Sequence, residues 1–208
     1  MKKLWQSEWF DIKFESFIEV DPHSIADEEF YKKFYQKFYQ KYQSFDDLPN
    51  KYKINKIATA IDILGFSEKY QSIMSIGCGN GIIEDHILKN SNKYIVAIEP
   101  SNNTRWLSDS KNFRLIQGFF PEILSGESKY EFGYSSCVDY VFNDQQYTNF
   151  LQHIYNYEFK EFYLTEIIIP PTGVREILKK IVYKLFSFFS YHKERGQFWG
   201  YMRTINEH

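Results

Sequence analysis

The run Ser75-Ile76-Gly77-Cys78-Gly79-Asn80-Gly81 and the acid Glu99 are the residues whose types and spacing carry the clearest chemistry in this chain. The run stands between an apolar strand pattern over 73–76 and a helical pattern marked by Ile82, Ile83, His86 and Ile87. Glycine has no Cβ, so such a turn lets bare backbone and the positive N-terminus of the next helix approach a ligand. Glu99 closes the next apolar strand pattern, over 94–98. At the switch point of an α/β sheet these two strand ends are neighbours, and a carboxylate there can accept hydrogen bonds from both hydroxyls of a ribose. The expectation is a turn that binds a nucleoside-bearing cofactor.

Together these residues resemble the class I S-adenosylmethionine-dependent methyltransferases. The family pattern is an acid, any residue, then Gly-x-Gly-x-Gly, with a second acid closing the following strand about 20 residues later. Gly77, Gly79, Gly81 and Glu99 fit it, whereas Ser75 stands where many members carry Asp or Glu near the methionine amino group. The resemblance implies S-adenosylmethionine as cofactor, with Ser75, Gly77, Cys78, Gly79, Glu99, Pro100, Gly118, Phe119 and Ser136 as its binding residues. A nicotinamide-binding turn would need Gly-x-Gly-x-x-Gly, and its last position here is Ile82, which counts against a dehydrogenase.

Methyl transfer is an in-line displacement at an activated sulfonium, so such a protein mainly aligns the acceptor and excludes water. In the family the place after strand three, here Gly118-Phe119-Phe120-Pro121, contacts adenine, often through an Asp. Here the Gly118 backbone and stacking by Phe119 or Phe120 are the substitutes. The place after strand four, 135–140, lies beside the methionine moiety and faces the acceptor. Asp139 and Tyr140 are the candidate catalytic residues: Asp139 would take the proton of a hydroxyl acceptor, against a plain reading as a helix cap. Tyr140 reads equally as packing. Neither His23, His86, His153 and His192 nor the pair Cys78 and Cys137 has metal-ligand spacing, and no metal is expected.

The elements that must position these residues read as α/β: a Rossmann-like, mostly parallel sheet with helices on both faces. Strands are expected over 73–76, 94–99, 113–117, 131–137 and 162–169, and a helix over 145–155. Residues 1–70 read as a helical segment, a lid or cap without independent stability, ahead of a cofactor-binding domain over 71–208. Within that segment Asp21-Pro22 offers an N-cap and first helical position, and Phe30, Phe34 and Phe38 recur beside Tyr31, Tyr35, Tyr39 and Tyr42 as an aromatic face. A second helix has Ile54, Ile57, Ala58, Ile61 and Leu64 on one side and Gly65 as its stop. Trp5, Trp9 and Phe10, at one-turn spacing, would anchor the N-terminus or form the lid.

After Pro170-Pro171, a strongly amphipathic helix over 174–189 is expected, buried against the domain or a second copy in a two-fold dimer rather than lying on a membrane. Class I enzymes usually finish with a further helix and an antiparallel strand pair. Here residues 198–205 either form an edge strand or those elements are missing, and the Thr204-x-x-Glu207 capping box with nothing after it favours absence.

The chain has 208 residues, suiting one domain, and its net charge of −2 with dispersed basic residues gives no pull toward nucleic acid. No segment stays uncharged long enough to span a bilayer, and Gln6, Glu8 and Asp11 interrupt any signal-peptide core. The reading is a reduced, cytoplasmic protein with a small-molecule or carrier-linked acceptor. Trp5 to Phe10, the Gly118 turn and Trp199-Gly200-Tyr201-x-Arg203-Thr204 resemble small-molecule methyltransferases of bacterial surface-polysaccharide gene clusters. That finer resemblance implies O-methylation of a sugar, sugar nucleotide or related polysaccharide precursor. The alternatives are a non-catalytic cofactor-fold binding protein or inactive methyltransferase relative, and, third, a nucleotide-dependent oxidoreductase.

Overall fold

A computed structural model describes residues 2–101, 104–107, 110–124, 129–166 and 196–204. Strand β1 (Lys2–Gln6) and a hairpin of β2 (Glu8–Trp9) and β3 (Ile12–Lys13) occupy the stretch read as helical. Trp5 and Trp9 therefore sit on strands, and Phe10 turns the hairpin with φ of 52°. The physical reason is non-local: the partner of β1 lies at the far end of the chain, where local periodicity cannot see it.

Helix α1 (Glu28–Lys41) starts later than Asp21-Pro22. Its N-cap is Asp27, whose carboxylate accepts from the Phe30 amide at 2.8 Å, with Glu28 and Glu29 favourably placed in the first turn. Asp21 instead accepts from the His23 amide at 2.7 Å. The aromatic face packs as core: Phe30, Phe34 and Phe38 are buried in one cluster with Phe14 and Trp199. Helix α2 (Asn50–Phe66) runs through Gly65, and its buried residues are Ala60 and Ile63. Of the apolar stripe read from the sequence, Ile54 and Ile61 are 66% and 57% exposed, while Ile57 and Leu64 are half-buried and Leu64 packs against the core, so the stripe straddles the boundary with solvent. The helix end is fixed by Lys93, whose Nζ donates to the carbonyls of Ser67 at 2.6 Å and Tyr70 at 2.5 Å.

The alternating part follows the expected order: β4 (Ser72–Ile76), α3 (Ile82–Asn90), β5 (Tyr94–Glu99), β6 (Phe113–Gln117), β7 (Phe132–Ser136), α4 (Asp144–Tyr157) and β8 (Glu161–Thr165). The strands pair in parallel as β6-β5-β4-β7-β8. Alternation assigns Ile73, Ile95 and Phe132 to the face covered by α1, α2 and α3, and Met74, Val96 and Ile98 to the face covered by α4. The first strand is central and the chain winds outward to each side, which opens a crevice at the carboxyl ends of β4, β5 and β7.

A strand β9 (Gln197–Met202) stands where absence was favoured. It pairs antiparallel with β1, Lys2 opposite Met202 and Gln6 opposite Gln197, in a separate two-stranded sheet. Among the described residues the main sheet has five strands. The end of the fifth strand expectation, Pro170-Pro171, the amphipathic helix over 174–189 and Glu207 lie outside the described residues.

Candidate active site

The three glycines of the turn all have positive φ, 76° at Gly77, 57° at Gly79 and 80° at Gly81, but they do different work. A Cβ on Gly77 would meet Val138 at 2.4 Å, and one on Gly81 would meet Leu107 at 2.3 Å. Those two permit close packing. Around Gly79 the nearest atom is the Tyr35 hydroxyl at 3.4 Å, so this residue presents open backbone.

Glu99 faces that backbone. The Gly79 amide donates to Glu99 Oε2 at 3.0 Å, while the amide and hydroxyl of Ser101 donate to Oε1 at 3.2 and 2.8 Å. Burial raises the Glu99 pKa, against the pull of these donors. Pro100 accepts from Gln117 Nε2 at 3.1 Å and so ties the ends of β5 and β6 together. Beside them lies a cleft of about 580 Å³, walled by Lys32, Tyr35, Gln36 and Tyr39 of α1 and by Ser101, Arg105 and Gln117.

The adenine-side expectations divide. Gly118 donates its amide to the Glu99 carbonyl at 3.1 Å, and a Cβ there would meet Ile123 at 2.5 Å, so it serves the turn. Phe119 is 56% exposed and free to stack. Phe120 is not: it packs into the α4 face against Phe150, Tyr157 and Phe159.

On the other side of the turn Ser75 is fully buried, and its hydroxyl donates to Glu84 Oε1 at 2.5 Å. Tyr134 donates to the same oxygen. Burial raises the Glu84 pKa, opposed by these two hydroxyls. Cys78 has its thiol pushed well up, by burial first and then by the charges of Glu84 and Glu99, which favours the protonated thiol. Ser136 accepts from Lys56 Nζ at 3.1 Å and from the Thr165 hydroxyl at 2.9 Å. Cys137 follows with φ of 58°, a strained backbone at the strand end.

Tyr140 and Asp139 lie in the short 3-10 turn Asp139–Val141. The Tyr140 hydroxyl is 2.9 Å from that of Tyr31 on α1. Burial raises the pKa of both phenols, so the pair remains protonated at neutral pH. Asp139 is 1% exposed and its carbonyl accepts from Arg203 Nη1 at 3.1 Å. Of the two candidates, Asp139 is the more deeply buried and Tyr140 is half-buried.

Sequence reasoning missed Tyr31, Tyr35, Tyr52, Lys56 and Glu84. One signal was present: in the Phe-Tyr-x-x repeat each tyrosine stands one residue, about 100°, from the phenylalanine that anchors the core, and so on the flank turned to the crevice. Among the described residues no cluster of three or more His, Cys, Asp or Glu side chains could hold a metal ion, and no helix is long and apolar enough to cross a membrane.

No family model and no curated protein matches the chain. Solved structures do. The mitomycin 7-O-methyltransferase MmcR superposes with a TM-score of 0.52 at 13% identity, over 74% of this chain and 44% of that one. The plantazolicin methyltransferase BpumL, in complex with a pentazolic desmethylPZN analog and SAH, superposes with a TM-score of 0.47 at 15% identity, over 79% and 70%. The chain spans less than half the length of MmcR. At this identity the likeness to MmcR establishes the architecture, and the chain has the Rossmann-like α/β fold of a methyltransferase.

Proposed function

We propose that this chain is an S-adenosylmethionine-dependent methyltransferase that methylates an oxygen of a sugar, sugar nucleotide or related polysaccharide precursor. The observation that carries the reading is the Gly79 amide 3.0 Å from the Glu99 carboxylate at the switch point of a parallel sheet. The residues fit the cofactor. Gly79 offers uncovered backbone, Glu99 Oε2 keeps a lone pair beyond the one Gly79 uses, and the adjoining cleft has room for a nucleoside.

When bound, the cofactor supplies a methyl group on a sulfonium that is already activated toward displacement. The chain's own work is placement. Glu99 and Ser101 hold the ribose side, Gly118 and Phe119 border the base, and α1 closes over the turn through Tyr35 and excludes water. Tyr140, paired with Tyr31, orients the acceptor hydroxyl. The sugar class is supported by the resemblance carried by Trp199, Gly200 and Arg203.

Calorimetry with S-adenosylhomocysteine and with NAD, then turnover on sugar and sugar-nucleotide acceptors, tests this. Binding of the first alone followed by methyl transfer is the expected result. Binding of NAD instead would make the chain an oxidoreductase, and binding of S-adenosylhomocysteine without turnover would make it a non-catalytic relative.

A further inference from the structure

The glycine pattern lacks its acid at Ser75, and the structure brings a carboxylate to that place from another element. Glu84, the third residue of α3, is 1% exposed and its Oε1 takes the Ser75 hydroxyl at 2.5 Å. Tyr134, the register neighbour of Ser75 on β7, donates to the same oxygen. The other oxygen, Oε2, is shut from water and has no hydrogen-bond partner. An unpaired buried carboxylate oxygen destabilises a fold, and an apolar residue at this packed position would avoid the penalty. The carboxyl group therefore has a use beyond packing; burial opposes its ionisation, and the Ser75 and Tyr134 hydroxyls and the Lys56 charge favour it.

We propose that Glu84 supplies, from α3, the negative charge that the glycine pattern ordinarily carries at the position of Ser75, and so positions the ammonium at the amino-acid end of the bound ligand. The proposal rests on the cofactor reading above. Glu84 acts without touching the ligand: shut from water, its charge is screened far less than that of a surface acid. It is a positioning residue, working across Ser75.

The test is calorimetry on the full chain with two probes, S-adenosylhomocysteine and 5′-methylthioadenosine, which lacks the amino-acid end. Glu84→Gln should weaken the first by about tenfold, on the order of a partly screened charge–charge attraction, and leave the second unchanged. Adding Ser75→Asp to Glu84→Gln restores the acid at the strand and should recover the affinity. Equal losses for both probes, no loss for either, or no recovery in the double variant would overturn the proposal. If Glu84→Gln does not fold, the wild-type protein decides: equal affinity for S-adenosylhomocysteine and its analogue without the amino group would also overturn it. Wild-type protein that binds neither S-adenosylhomocysteine nor 5′-methylthioadenosine would refute the cofactor reading itself.

Discussion

The indole of Trp199 lies parallel to the ring of Tyr140, 5.9 Å between centroids and 6° between planes. Its other neighbours are Trp9, Phe14, Phe30 and Tyr31. Strand β9, outside the main sheet, thus backs Tyr140, the residue proposed to meet the acceptor. Trp199→Ala should destabilise the fold by about 3–5 kcal/mol, as for other large aromatic truncations in cores. Urea unfolding checks this; a loss under about 1 kcal/mol would place the ring outside the structural core.

Glu99→Ala should cost about 1–3 kcal/mol of S-adenosylhomocysteine affinity, the penalty for a ligand hydroxyl left without its acceptor. Unchanged affinity in a folded variant would remove Glu99 from the site. Gly79→Val should also abolish binding, because a side chain then fills the one open approach in the turn and sits at φ of 57°.

The fold should fail in alkali through its tyrosines. Burial raises Tyr31, Tyr35, Tyr39, Tyr52, Tyr134 and Tyr140 above the ordinary value of 10.0. The folded state then holds these protons more tightly than the unfolded chain, so the stability they contribute is fully present below pH 10 and is lost as pH rises toward the folded values. Lys93 has the opposite sign, its pKa lowered by burial, but it is one group against several. Tyrosines open to solvent ionise at about pH 10 with the fold intact, and the absorbance of the buried six should appear in a later single step with the loss of far-ultraviolet dichroism. Ionisation of all the tyrosines at about pH 10 with the fold intact would contradict the burial.

On α2, Ile63→Ala should cost about 2–5 kcal/mol and Ile61→Ser less than about 0.5 kcal/mol. Thermal or urea unfolding distinguishes them. The reverse ranking would restore the apolar face read from the sequence.

That error shows where the sequence was legible and where it was not. The turn at Gly77, Gly79 and Gly81 and the acid Glu99 were readable because backbone demands and strand order are local. Helix α2 has apolar residues on two sides, Ile54 and Ile61 outward and Ala60 and Ile63 inward, so periodicity alone could not choose. The Ser75–Glu84 contact crosses from a strand to a helix, and β1 finds its partner only in β9, so neither leaves a local trace. Phe120 and Phe119 are adjacent and chemically identical, and only packing against α4 separates core from surface.

Because Lys2 pairs with Met202, the two-stranded sheet behind Tyr140 can zip only after almost the whole chain has been brought together. Closing so long a loop carries an entropic cost that short-range elements avoid, and contacts of this separation form late. Among the described elements, the pairing of β1 with β9 is then among the last to form. Amide exchange in β9 should outpace that in β4 and β5, so the strand behind Tyr140 can open while the sheet that carries Gly79 and Glu99 stays closed.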